Sequence, residues 1–267
     1  MIKFPRSVYY SRIKQKSVGN KYQRENEKIK ELIMNIWIES KERYGAPKIH
    51  RKIMDNGKKI SIKRIQRLMR EMGVKSKVVK KYRYHSEKPD CSGKENILKG
   101  DFSADRINEK WVTDITYIYT SKDGWTYLAS VEDLFSRKII GYSYGKKITA
   151  ELAVQAVKNA CLNVKNTNGI VIHSDQGRQY TSDIFEKYLK IKNMIHSYSR
   201  KGNPYDNASI ESFHSILKKE EVNHMKYRDF EQASKSIFEF IESWYNRKRI
   251  HSSIDYLTPD QAHCSIA

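Results

Sequence analysis

Three acidic side chains have the type and setting to do chemistry together. Asp114 lies inside the apolar stretch 111–118, Asp175 ends the apolar run 169–175, and Glu211 opens a helical stretch over 208–218. A carboxylate in an apolar strand is costly to bury without a partner. Three of them in a chain of formal charge +20 suggest a shared cation. Hard divalent cations take carboxylate oxygens, and phosphates are their usual substrates. The chemistry this implies is metal-assisted reaction at a nucleic-acid backbone. Taken singly, each acid also has an ordinary reading. A strand Asp is commonly a satisfied structural carboxylate, Asp175 before Gln-Gly suits a turn, and Glu211 near a helix start favours the macrodipole.

The charge is unevenly placed. Residues 1–100 hold 28 Lys+Arg against 10 Asp+Glu, whereas the remainder holds 23 against 21. Such asymmetry points to a polyanion-binding segment joined to a near-neutral domain, although excess lysine also serves solubility. Cys91, Cys161 and Cys264 are far apart and read as free thiols in a reducing compartment. No Cys-x-x-Cys or His-x3–5-His pair supports a structural zinc. No stretch approaches the roughly 20 apolar residues of a membrane helix. These observations predict a cytoplasmic, nucleoid-associated protein with no membrane partner.

The elements that must position the acids follow from periodicity. Residues 1–24 are basic and tyrosine-rich and form an arm. Ile29, Leu32, Ile33, Ile36 and Trp37 predict a helix over 25–42. Pro47 can start a second helix, which ends near Asn56-Gly57, and Ser61 can cap a third. The second and third make a helix-turn-helix, whose last helix turns Lys63, Arg64, Arg67 and Arg70 outward as a DNA-recognition face. An ordinary amphipathic helix with a solvated basic face has the same pattern. The resulting DNA-binding domain spans 25–85. A linker at 86–105, marked by Pro89, Ser92 and Gly93, precedes a second domain at 106–267. There, strands are expected at 111–119, 125–132 and 138–144, with Lys122-Asp123-Gly124 turning the first pair. A helix over 149–164, a buried strand at 170–172, a helix at 182–190 and a short strand at 194–198 follow. The loop Gly202-Asn203-Pro204 leads to the Glu211 helix, and one long helix spans 229–248. The fold class is α/β (α+β): a mixed sheet with helices on its faces, behind a small all-α domain.

Thirty-five residues separate Asp175 from Glu211. The words around the acids are Trp-Val-Thr-Asp-Ile-Thr-Tyr (111–117), His-Ser-Asp-Gln-Gly-Arg-Gln-Tyr (173–180) and Asp-Asn-Ala-Ser-Ile-Glu-Ser-Phe-His-Ser-Ile-Leu-Lys-Lys-Glu (206–220). Together they resemble the DDE transposase/integrase superfamily, with its Asp, Asp-(35)-Glu signature, and most of all the bacterial insertion-sequence transposases of the IS-three type. Residues 133–141, 245–253 and Thr258-Pro259 fit the same resemblance, as does 44–50 in the helix-turn-helix; it covers about 25–262. It implies an RNase H-like fold, with Asp114 on the first strand, Asp175 just after the fourth and Glu211 on a later helix. It implies two Mg²⁺ ions (Mn²⁺ also serving) held by Asp114, Asp175 and Glu211, and strand cleavage and transfer at element ends. It further implies assembly as a homo-oligomer on DNA, and a fusion with or partner from an upstream open frame. Lys218 stands two helical turns after Glu211, on the same face. There it is expected to hold a DNA phosphate, with His214 near the same face. His173 is either beside the site or packed in the core, and Asn207 is expected to order the loop before the helix. Two rivals stay open: a DNA-binding regulator with structural carboxylates, and an RNase H-like nuclease that cuts without joining.

Overall fold

The computed structural model describes Ser7, Tyr10 and residues 21–77, 95–200 and 207–265. Most of the expected arm at 1–24, the domain cut at Pro89, Ser92 and Gly93, and the loop Gly202-Asn203-Pro204 lie outside these residues, while 21–24 of that arm are helical. The chain divides into two compact units, Met1–Val78 and Val79–Ala267.

The first unit contains α1 (Lys21–Glu39), α2 (Ala46–Asp55) and α3 (Ile62–Glu71). Along these helices Ile29, Ile33, Ile49, Ile53, Ile65, Leu68 and Met69 are buried, spaced at helical intervals. Pro47 sits in the first turn of α2, and the Ser61 hydroxyl accepts from the Arg64 N–H at the start of α3. The first helix stops earlier than its pattern predicts, because Lys41 and Glu42 take left-handed backbone angles. Glycine usually marks such a stop, and none stands there.

The second unit is built on one five-stranded sheet of order β3-β2-β1-β4-β5. The strands are β1 (Lys110–Thr120), β2 (Gly124–Asp133), β3 (Ile139–Gly145), β4 (Val171–Ser174) and β5 (Ile195–Tyr198). The first three form an antiparallel meander, while β4 runs parallel to β1 and to β5. This mixed, RNase H-like sheet is the expected one. Gly124 (φ 72°) makes the β1–β2 turn, where the Thr120 hydroxyl donates to the Gly124 carbonyl.

Helices α4 (Ala150–Cys161) and α5 (Asp183–Ile191) pack with Trp111, Ala129, Val131, Ile170 and Ile172 in one hydrophobic core. Gly141 permits the close approach of α4, since a Cβ there would lie 2.3 Å from the Ala160 nitrogen. Alternation along β1 and β2 turns Asp114, Ser130 and Glu132 to the other face. On that face lies α6 (Ala208–Glu220), whose Ser209 hydroxyl donates to Glu132.

The long C-terminal helix is corrected. It is α7 (Phe230–Phe238) followed by a π-helical segment, Glu239–Tyr245. The wider turn buries Phe240, Ile241, Trp244 and Tyr245 together. Immediately after it, the Asn246 side chain accepts from the Ile139 N–H and donates to the Ile139 carbonyl, both at 3.0 Å. A short α8 (Pro259–Cys264), absent from the sequence reading, starts at a Thr258–Gln261 capping box.

Candidate functional site

The register of the sheet brings Asp114 and Asp175 level. β4 pairs with β1 only over Lys110–Val112, with Val112 opposite His173. Two residues further on, in parallel, stand Asp114 on β1 and Asp175 just past the end of β4. Asp114 faces Ser130 across the antiparallel pair, and its Oδ1 accepts from the Ile115 N–H (2.8 Å). Asp175 is held by the Gly177 N–H, which donates to its Oδ1 (2.9 Å).

Electrostatics link the third acid. Burial pushes the Asp175 carboxyl up to about 6, and the charge of Asp114 pushes it the same way, against the Gly177 hydrogen bond. Glu211 is raised as well, first by desolvation and then by Asp114, while His214 opposes. Glu211 is itself exposed, so its desolvation is partial. Asp114 thus acts on both other acids, and each is driven toward its neutral form. Tyr180, fully buried with its hydroxyl 3.2 Å from that of Thr113, is raised well above its usual value by burial and then by Asp114.

All donors in this trio are carboxylate oxygens, the set a hard divalent cation takes. A cation there would relieve both the dehydration and the mutual repulsion, so the residues fit such a group. Among the described residues no three His, Cys, Asp or Glu groups are drawn together tightly enough to form a finished cation cage. The acids are coupled by charge, and ligation requires their side chains to turn toward one another.

The other expected contacts divide. Lys218 lies on α6 with Nζ 4.0 Å from the centre of the Tyr117 ring, and desolvation lowers its pKa while Asp114 raises it. His214 is 6% exposed, with Nδ1 3.5 Å from Asp114 Oδ2. Its Nε2 is buried with no hydrogen-bond partner among the described residues. His173 belongs to the core, 0% exposed, with Nδ1 2.9 Å from the Ser197 hydroxyl. Asn207 precedes α6 and is buried, but its side chain makes no cap hydrogen bond.

On α3, Lys63 and Arg70 are exposed. Arg64 is turned back onto α1. Its guanidinium bonds Asn26 (2.8 and 3.0 Å) and Glu25 (3.1 Å) and stacks over Tyr22. Arg67 donates to the Tyr22 hydroxyl and pairs with Glu71. Arg64 and Arg67 therefore also fasten α3 to α1, a role that spacing on a single helix does not reveal.

Glu132 was passed over in the sequence. Its signal was the same as that of Asp114, an acid in an apolar strand. It is 1% exposed, takes a hydrogen bond from Ser209 (2.8 Å), and lies 3.7 Å from Arg137. Arg137, at φ 61°, also donates to Ser209, two residues before Glu211. This cluster ties the first turn of α6 to β2. Burial pushes Glu132 from 4.5 up to about 7, with Arg137 and Ser209 opposing. Folding therefore retains its proton, and the cost of its charge grows as pH rises from about 4.5 to about 7. Glu132→Gln keeps an acceptor for Ser209 without that charge. The variant is expected to gain about 1–3 kcal/mol at pH 8 and nothing at pH 4. Urea unfolding at both pH values checks this, and an equal gain at both would contradict the assignment.

Residues 104–204 match the family described as Integrase core domain, and 192–259 match a second family of that description. Residues 23–82 match an HTH-like domain. The chain is 38% identical over 241 residues to the transposase for insertion sequence element IS904 of Lactococcus lactis subsp. lactis (strain IL1403), covering 90% of this chain and 95% of that protein. It is 34% identical over 266 residues to transposase InsF for insertion sequence IS3A of Escherichia coli (strain K12), covering 98% and 91%. Among solved structures, the HTLV-2 integrase catalytic core domain in complex with magnesium is similar at 19% identity and a TM-score of 0.46, over 60% of this chain and 99% of that one. An HTH-like segment, an integrase core and two closely covering relatives make this chain a member of the IS3 family of insertion-sequence transposases.

Proposed function

We propose that this transposase cuts DNA at the ends of its insertion sequence and joins those ends to target DNA, using Asp114, Asp175 and Glu211 as the catalytic acids. The observation that carries the reading is the coupling of the trio, in which the charge of Asp114 raises both Asp175 and Glu211. Carboxylates kept dehydrated and mutually repelling are poised to accept cations.

The three would hold two Mg²⁺ or Mn²⁺ ions through their carboxylate oxygens. Bound there, the ions supply Lewis acidity to an attacking oxygen and to a leaving 3′ oxygen. The chain's own part is positional. β1 and β4 set Asp114 and Asp175 side by side, and Gly177 orients Asp175. The Ser209–Glu132–Arg137 cluster anchors the turn that carries Glu211. Lys218, close enough to feel the Asp114 charge, would hold a phosphate beside the acids. In-line displacement needs no covalent enzyme intermediate, so no Ser, Cys or Tyr nucleophile is required. Cleavage uses water as the attacking group, and joining uses the freed DNA 3′-OH.

The HTH-like segment supplies end recognition in this reading, through Lys63 and Arg70 and the outer parts of Arg67. Pairing of two element ends by several copies of the chain belongs to the same reading, as does a product of an upstream frame. No helix among the described residues is long and apolar enough to cross a membrane.

The test is a strand-transfer assay with labelled candidate ends and Mg²⁺ or Mn²⁺. Cleaved ends joined to target support the reading. Cleavage without joining favours a nuclease, and binding without either favours a regulator.

A further inference from the structure

The outer end of the β1–β2 hairpin carries three large exposed rings. Tyr117 is 42% exposed, Tyr119 56% and Trp125 53%. Trp125 packs edge-on with both tyrosines, at 5.1 and 5.2 Å between ring centres. Cross-strand ring packing of this kind supports a hairpin. It does not account for Lys218, drawn from α6 onto the Tyr117 ring.

More positive charge gathers at the same end. The Ser121 N–H donates to the Tyr227 carbonyl and the Lys122 N–H to the Arg228 carbonyl, at 2.9 and 2.8 Å. A backbone bridge joins Thr120 to Tyr227. These bonds lay segment 226–228 against the hairpin and bring Lys226 and Arg228 beside Lys122, all three exposed. Arg228 is paired with Asp229, yet its side chain remains 82% exposed.

Rings open to solvent among cations are the composition of a stacking platform for unpaired nucleotides. Every base has a π-face to stack, and the cations follow the phosphates. A paired base has its faces covered by its neighbours, so the platform favours unpaired strands over duplex. The location suits an end-processing enzyme. Tyr117 is three residues beyond Asp114, roughly 10 Å along the strand, and alternation turns its ring to the opposite face of β1. Past Val112 β4 no longer pairs with the β1 edge, and Lys218 spans the two faces, over the Tyr117 ring and within range of the Asp114 charge.

We propose that the Tyr117–Trp125–Tyr119 face stacks the unpaired bases of a DNA end whose backbone lies at the acidic trio. The inference rests on the transposase site described above and adds the binding site for the opened strand.

The experiment uses the full chain without divalent metal and compares three labelled probes. One is a blunt duplex, one has a short single-stranded tail, and one has the same tail made abasic. The unaltered chain is expected to prefer the based tail. Trp125→Ala should lower affinity for that tail by about tenfold, the order of one lost base stack, and leave the blunt duplex unchanged. Trp125→Phe should keep most of the preference. An unchanged tail preference in Trp125→Ala overturns the inference, as does an abasic tail that binds as well as the based one. A variant that alters only self-association in sedimentation also overturns it and makes the face a protein interface. If the unaltered chain binds no probe, the transposase-site reading fails and this inference falls with it. If the unaltered chain cuts and joins DNA while Trp125→Ala binds tails normally, only this inference fails.

Discussion

Strand cleavage by the Glu211→Gln chain is expected to fall by about a thousandfold or more while DNA binding stays close to that of the unaltered chain. Lewis-acid stabilisation by a held metal is worth several kcal/mol, and each 1.36 kcal/mol is tenfold in rate. Asp114→Asn and Asp175→Asn should do the same, because each removes charge from one cation site. A nick appearing at normal rate in any of the three would remove that residue from the site. The effect should also carry a pH signature. Metal binding requires ionised carboxylates, so Mn²⁺ affinity should fall as pH drops through about 6, where Asp175 gains its proton. Stability runs the other way. Asp175 is raised from 3.8 to about 6 in the folded chain, so its charge costs nothing below about pH 4 and the full amount above about pH 6. Asp175→Asn should therefore stabilise the metal-free chain by about 1–3 kcal/mol at pH 8 and leave it unchanged at pH 4. A variant that loses cleavage but gains metal-free stability separates a catalytic role from mere misfolding.

The second large effect is structural and lies at the far end of the same helix. Glu220 ends α6, and Arg249 meets it with Nε at 3.0 and 3.2 Å and Nη2 at 2.9 Å. The Trp244 indole donates to Glu220 Oε2 at 3.1 Å, and Arg249 Nη1 stands 3.1 Å from the His251 ring. The side chains of the pair are only 9% and 6% exposed. Removing one partner leaves a buried charge, so Arg249→Met or Glu220→Leu should each cost about 3–5 kcal/mol in denaturant unfolding. The double variant should recover much of that loss, because it leaves neither charge behind. Equal, additive losses would show that the two do not act as a pair. The bridge also fixes α6 against the C-terminal segment, so the single variants should cut strand transfer more than the double does.

Much of this was legible from residue order. The three acids stood out because each is a carboxylate beside apolar neighbours, and their words matched a known pattern. The meander, α4 and the cap at Ser61 follow from local rules of alternation, helical spacing and side-chain hydrogen bonding, which act over a few residues. What local rules cannot carry is decided by packing between distant segments. That Asp175 stands level with Asp114 depends on the β1–β4 register, a pairing across some sixty residues. That His214 points inward at Asp114, that Arg64 folds back onto Asn26, and that Glu132 is sealed beneath Ser209 depend on which faces meet. Periodicity says that a face is polar and never what lies opposite it. The π-helical turn at 239–245, which buries Phe240, Ile241, Trp244 and Tyr245, is likewise not marked by helical spacing alone. Chemistry was therefore readable in residue types and their spacing, whereas the charge coupling among the acids arises only when the tertiary fold brings them within range of one another.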